Sequence, residues 1–308
     1  MTDENRVVNH RAGNEPLFGN VAHFMGFPSY EGAGCAAEAV ITGVPFDLAT
    51  TGRPGARLGP WAIRQASSNL LWETVRWPWE FELTSKLEVA DAGDLQVPPG
   101  DASRLTEQLE QHASALLSAG KHLVTFGGDH FITLPLLRAH ARSLGPLALI
   151  HFDAHTDNYR GGLYDHGTFL ATALREGLIL PERSVQIGIR TAYDKLHHPF
   201  TVLDALQVDK TPAAALVQTI QEITAGQLCY LSFDIDCLDP AFAPSTGTPV
   251  VGGVSTTKAL EILRQLTSCR LVGMDLVEVA PATQQVDVTA LAAATLVLDY
   301  LYLVAAGR

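Results

Sequence analysis

The stretch Leu149-Ile150-His151-Phe152-Asp153-Ala154-His155-Thr156-Asp157 opens as an apolar run and closes on three side chains that can ligate a metal. Read as a strand, residues two apart lie on one face. Asp153, His155 and Asp157 then converge at the strand's carboxyl end, with an exposed loop beyond. Two carboxylates and an imidazole aimed at one point repel each other, and a divalent cation removes that cost. Taken alone, the stretch also fits a strand end with ordinary surface charges, so the rest of the chain decides.

Outward from it, apolar runs of strand length fall at 38–44, 87–92, 122–126, 146–152, 184–189, 201–203, 227–233 and 269–276. Helical spacing falls between them, at 61–71, 102–119, from His130 to about 142, at 167–176, 212–225, 256–267 and in the last segment. About eight strands alternating with helices predict an α/β fold with a mostly parallel sheet. An open three-layer α/β/α sandwich and a closed (β/α)₈ barrel both fit. In either, functional groups gather at the carboxyl ends of the strands. Residues 1–36, rich in Gly, Asn and Pro, read as an arm or covering segment, and 37–308 as a single catalytic domain.

The composition is globular: 47% hydrophobic and 18% charged over 308 residues. A net charge of -12 argues against nucleic acid, which needs a basic face. The first residues, Met1-Thr2-Asp3-Glu4-Asn5-Arg6, lack the apolar core of a signal peptide. Cys35, Cys229, Cys237 and Cys269 form no CxxC pair, and read as reduced thiols in a cytoplasmic protein. The apolar run 288–306 approaches membrane-spanning length, but Asp299 interrupts it and no second span accompanies it. A buried helix is expected there, and no membrane partner. Trp61, Trp72, Trp77 and Trp79 are expected in the core or an interface.

Two further strand ends carry ligand-type residues. Leu231-Ser232-Phe233-Asp234-Ile235-Asp236-Cys237-Leu238-Asp239-Pro240 puts Asp234 and Asp236 on one face under period two, while Asp239, before Pro240, shapes a turn. Gly127-Gly128-Asp129-His130 allows a tight strand-to-helix turn, with Asp129 as either a cap or an orienting partner for His130. His130, Asp153, His155, Asp157, Asp234 and Asp236 together supply two imidazoles and four carboxylates. Four negative charges match two divalent cations. The oxygen-rich set suits Mn²⁺, with Fe²⁺, Co²⁺ and Zn²⁺ as alternatives.

On these three motifs, with Asp165-His166-Gly167-Thr168 and Val277-Glu278-Val279-Ala280-Pro281, the sequence resembles the ureohydrolases, the arginase–agmatinase family. Val44-Pro45-Phe46-Asp47, Gly59-Pro60-Trp61-Ala62-Ile63-Arg64 and Phe131-Ile132-Thr133-Leu134-Pro135-Leu136 resemble its bacterial agmatinase branch. The resemblance implies the three-layer sandwich, two Mn²⁺ per chain and a homo-oligomer, trimeric or hexameric. It implies that His130 and Asp157 hold one metal, that His155 and Asp236 hold the other, and that Asp153 and Asp234 bridge them. The implied reaction is hydrolysis of agmatine to putrescine and urea, by attack of a metal-bridging hydroxide on the guanidinium carbon. Asp157 would pass on the hydroxide's proton, His166 would shuttle protons, and Glu278 would anchor the guanidinium.

The substrate is a small cationic guanidine on this reading. Arginases place polar residues, including an Asn, two positions after the last motif aspartate, whereas this chain has Tyr159 there. That favours a substrate without an α-carboxylate. Guanidinobutyrate is the rival, with Arg160 as a carboxylate partner, and a solvated loop residue is the plainer reading of Arg160. A metal-dependent deacetylase and an inactive metal-binding protein stand as alternatives of other classes.

Overall fold

The computed structural model describes residues 23–73, 75–96, 100–162, 165–281 and 287–308. Among them eight strands form one sheet: β1 (Ala39–Gly43), β2 (Val89–Asp94), β3 (His122–Phe126), β4 (Ala148–Phe152), β5 (Val185–Ile187), β6 (Thr201–Leu203), β7 (Leu228–Asp234) and β8 (Arg270–Val277). The order is β2-β1-β3-β8-β7-β4-β5-β6, and every neighbouring pair is parallel. The order is open, with β2 and β6 at its edges, so the architecture is the sandwich rather than the barrel.

Parallel neighbours need long crossovers, and helices supply them. They are α1 (Gly59–Ser67), α2 (Ala102–Ser118), α3 (Thr133–Leu144), α4 (Phe169–Arg175), α5 (Ala205–Lys210), α6 (Ala213–Thr224), α7 (Thr256–Arg264) and α8 (Val288–Ala306). Period two in the strands splits the core into two layers. Ile41, Val124, Phe126, Ile150, Phe152, Leu231, Phe233 and Leu276 face one apolar cluster, shared with α1, α6, α7 and α8. Val40, Leu123, Leu149 and Tyr230 face the other, shared with α2, α3 and α4. The short helix α5 escapes period counting; a reciprocal cap between Asp204 and Gln207 starts it.

The expected covering segment is described only in part. Phe24 is fully buried and Ser29 bridges to Asp91 beside β2. Residues 1–22 lie outside the described residues. The four tryptophans, expected in the core or an interface, divide between the core and the chain's own surface. Trp79 packs against the core and stacks on Tyr302, but Trp61, Trp72 and Trp77 are exposed on the chain surface.

Helix α8 is apolar enough to cross a membrane, with a mean hydropathy of 1.8, yet 78% of that window is buried inside the fold. Asp299 explains how an acid sits there. Trp79 Nε1 donates to its Oδ1 at 2.7 Å and an Arg264 Nη donates to its Oδ2 at 2.9 Å. The carboxylate is fully buried, so its removal strands Arg264 and Arg76 beside it. Asp299→Ala is expected to cost about 3–5 kcal/mol, the usual result of breaking a buried pair from one side. Urea unfolding of the variant and the parent chain checks this.

Candidate metal centre

Four strands deliver the site, and they are the four central ones, β3, β8, β7 and β4. Asp129 and His130 follow β3, Asp153 to Asp157 follow β4, Asp234 ends β7 with Asp236 in the next turn, and Glu278 follows β8. The period-two argument needs correction. β4 ends at Phe152 and β7 at Asp234, so apart from Asp234 the ligand-type residues lie in the turns and not along a strand face. Backbone conformation aims them instead. Asp157 has φ 48° and Glu278 has φ 63°, in the left-handed region that side-chain-bearing residues rarely occupy. Such strain persists where the surroundings enforce it, and it concentrates at functional sites.

Gly127 and Gly128 serve close approach rather than an unusual dihedral. A Cβ on Gly128 would lie 1.6 Å from the Phe46 carbonyl oxygen, and one on Gly127 would lie 2.5 Å from Val277 Cγ1. Asp129 proves to be a cap: it accepts from Phe131 N and Ala49 N, and makes no bond to the His130 ring. Asp239 shapes its turn as expected, accepting from Ala241 N, Gly252 N and Gly253 N.

All six ligand-type residues come together. His130 Nδ1 lies 3.0 Å from Asp157 Oδ2, 3.2 Å from Asp153 Oδ2 and 3.2 Å from Asp234 Oδ2. His155 Nδ1 lies 3.1 Å from Asp236 Oδ2 and 3.4 Å from Asp153 Oδ1. Two groups of potential donors result: His130, His151, Asp153 and Asp157, and then Asp153, His155 and Asp236. Asp153 belongs to both, with one oxygen turned to each. Asp234 stands beside the first, and its Oδ1 accepts from Asp236 N at 2.7 Å.

The electrostatics fit cations. His130 Nδ1 faces three carboxylates yet makes no well-directed hydrogen bond, and Asp153 Oδ2 is likewise buried without one. One N–H cannot serve three acceptors, whereas a divalent ion can. Burial opposes charge on both imidazoles, but the carboxylates outweigh it. Asp153 and Asp236 hold His155 up to about 12, and Asp153, Asp157 and Asp234 hold His130 well above the ordinary histidine value. Burial and neighbouring carboxylates push Asp234, Asp157 and Asp236 upward, while the three histidines around Asp153 overcome its burial and hold it well below. The cluster therefore gathers protons where metals would otherwise balance the charge.

Beside the cluster, Glu278 Oε1 accepts from His130 N at 3.0 Å and from His166 Nδ1 at 2.8 Å. Its Oε2 is buried with no partner. His166 Nε2 lies 2.7 Å from the hydroxyl of Thr51, an exposed residue at the rim. Sequence reasoning missed Thr51, because loop threonines carry no pattern. It also missed the residues beneath the site. Ser232 donates to Asp275 Oδ1 at 2.6 Å, so its oxygen is left to accept from His130 Nε2 at 2.8 Å. Tyr230 donates to the other Asp275 oxygen at 2.9 Å. This holds a proton on Nε2 and leaves Nδ1, the nitrogen that faces the carboxylates, as the one a metal would take. The available signal was an acid inside the apolar run of β8. Cys237 is a packed residue as expected, with burial pushing its thiol well above the ordinary value.

A parallel sandwich whose central strands end in a buried histidine–aspartate cluster defines a metal-dependent hydrolase. The Arginase family profile matches residues 37–302, and the chain belongs to that family. A Proteus mirabilis protein named agmatinase is 56% identical over 307 residues, covering 98% of this chain and 100% of that one. The crystal structure of a hypothetical agmatinase from Burkholderia thailandensis superposes with TM-score 0.91 at 44% identity, over 95% of this chain and 93% of that one. Proclavaminate amidinohydrolase from Streptomyces clavuligerus superposes with TM-score 0.89 at 34% identity, over 96% and 100% of the two chains.

Metal uptake must displace the protons the cluster holds. The carboxylates hold His155 up to about 12 and raise His130 well above its ordinary value, so both favour the protonated form before a metal arrives, and a metal takes the neutral imidazole. Uptake at pH 7 is expected to release protons, and affinity is expected to fall as pH is lowered. Calorimetric titration with Mn²⁺ in buffers of different ionisation enthalpy measures the release. Equal heats in all buffers contradict it.

Proposed function

We infer that the protein is an agmatinase, a metal-dependent hydrolase that converts agmatine to putrescine and urea. Glu278 Oε2 is the observation that carries this reading. A buried carboxylate oxygen without a donor is costly. A guanidinium supplies directed N–H groups and a compensating charge. The relatives named agmatinase support the choice of guanidine.

In this reading His130 and Asp157 would hold one divalent ion, His155 and Asp236 the other, and Asp153 and Asp234 would be shared. Oxygen-rich ligation supports Mn²⁺. Bound there, two such ions supply a water activated at neutral pH and balance the carboxylates. Glu278 pairs with the guanidinium and orients its carbon over the cluster. Asp157 receives the proton that the attacking water loses. The leaving amine departs only when protonated, and His166 delivers or exchanges that proton through Thr51 at the rim. Burial works against a charged His166, but Glu278, with help from Asp157 and Asp129, holds it up to about 9.

Tyr159 stands where an arginine-specific site would need polar groups for the α-carboxylate; its hydroxyl lies 3.2 Å from Thr191 Oγ1. Arg160 is exposed, as a solvated loop residue would be. Both facts support a substrate without a carboxylate. The four free cysteines support a reducing cytoplasm. The exposed Trp72 and Trp77 offer apolar surface that a homotrimer or hexamer would cover.

Urea release by the Mn²⁺-loaded protein, with agmatine, guanidinobutyrate and arginine at equal concentration, is expected to favour agmatine. Preference for guanidinobutyrate moves the specificity to the acid, and no urea from any of the three, with metal content verified, sinks the assignment. Glu278→Gln is expected to lower kcat/KM for agmatine by about 10²–10³-fold, the scale of a lost charge-stabilising group. A raised pKa means that His166 keeps its proton below about 9 and loses it above. The rate is therefore expected to fall on the alkaline side, and His166→Asn to lower it by about 10²–10⁴-fold and remove that limb.

A further inference from the structure

One rung of the sheet is polar where its neighbours are apolar. Register places Gln186 of β5 beside His151 of β4, His151 beside Ser232 of β7, and Ser232 beside Asp275 of β8. All four are buried, one or two residues below the strand ends that carry the metal cluster. Ser232 and Asp275 serve His130, as described above. Gln186 and His151 have no role in the reaction so far.

Their hydrogen bonds fix one another. The Gln186 amide nitrogen lies 2.9 Å from the Thr156 carbonyl oxygen, which can only accept, so the amide orientation is set. The same nitrogen lies 2.8 Å from His151 Nδ1, which must therefore be the acceptor. The Gln186 carbonyl oxygen lies 2.6 Å from Nε2 of the half-buried His198, which donates to it. His151 accordingly carries its proton on Nε2, and Nε2 lies 2.9 Å from Asp153 Oδ2. The contact is not in line, since both atoms lack a well-directed hydrogen bond. A protonated Nε2 cannot ligate a metal, and the Nδ1 lone pair is taken. His151 thus differs from the histidines whose free Nδ1 faces carboxylates.

We propose that His198, Gln186 and His151 form a positioning relay for Asp153, holding that carboxylate so that one oxygen faces each metal position. The inference rests on the dinuclear reading, with Asp153 shared between the ions. His198 fixes the Gln186 amide, Gln186 fixes the His151 tautomer, and His151 presents an N–H to Oδ2. On the other oxygen, His155 N donates to Oδ1 at 2.5 Å. Asp153 is then hydrogen-bonded on Oδ1 and in close polar contact on Oδ2 before any substrate arrives.

The test is Mn²⁺ titration of the chelator-treated full-length protein, with EPR of the loaded form, on the parent chain, Gln186→Leu, His198→Phe and His151→Phe. Gln186→Leu keeps volume and removes all three hydrogen bonds of the amide. It is expected to weaken the second Mn²⁺ by about 10- to 100-fold, the usual scale for a partner behind a ligand. The exchange-coupled signal of paired ions should give way to that of single ions. His198→Phe, at the half-exposed end, is expected to act in the same direction and less strongly, and decides the matter if Gln186→Leu fails to fold. Parent-like affinity and spectra in both overturn the relay. Loss of one ion in His151→Phe with no change in Gln186→Leu makes His151 a ligand in its own right and also overturns it. A parent chain that binds fewer than two ions overturns the dinuclear reading, and the relay with it.

Discussion

Mutual repulsion among buried carboxylates is the constraint on which this molecule turns. Asp153, Asp157, Asp234 and Asp236 are all buried, and each would be intolerable there alone. Imidazoles moderate the repulsion but cannot abolish it, because a single nitrogen cannot bond three acids. The surrounding structure is built to keep these groups in place regardless. Two apolar layers clamp the central strands, two non-glycine residues are held at positive φ, and Gly128 lets the Phe46 backbone press against the His130 turn. Geometry that survives such repulsion is set before a cation arrives, which is the meaning of a preorganised site.

Most of the fold and the ligand set were legible in the sequence. Strands were readable because each is a short apolar run closed by a turn, and the eight runs correspond to the eight strands of the sheet. Period two sorted the core correctly inside β1, β3, β4 and β7. It failed one or two residues beyond the strand ends, at Asp153 and Asp236, where strand geometry stops and turn geometry begins. The residues that cluster were found for a partly wrong reason, since ligand-type chemistry marked them independently of the backbone.

The residues that escaped were those without a pattern of their own. His151 and Asp275 looked like interruptions of apolar strands, and Gln186 like an ordinary residue of a short one. Their meaning depends on register between strands distant in sequence, and no local window carries register. Thr51 escaped for a related reason, since it meets His166 across 115 positions of chain. Trp72 and Trp77 lie on the chain's own surface, which leaves only the interface half of their expected placement.

The strand order has a consequence for the moment at which the protein becomes active during its synthesis. β8, near the end of the chain, lies between β3 and β7, and it brings Glu278 to the site. A nascent chain that has released everything up to β7 and the turn after it has all six ligand-type residues but cannot join the two halves of its sheet. The halves meet only when residues 270–277 leave the ribosome, with α8 still to cover them. Such late, long-range pairing is slow and leaves apolar edges exposed meanwhile. It also means that a chain truncated before β8 has no seam to close, and no truncated product of this kind can carry Glu278 to the cluster.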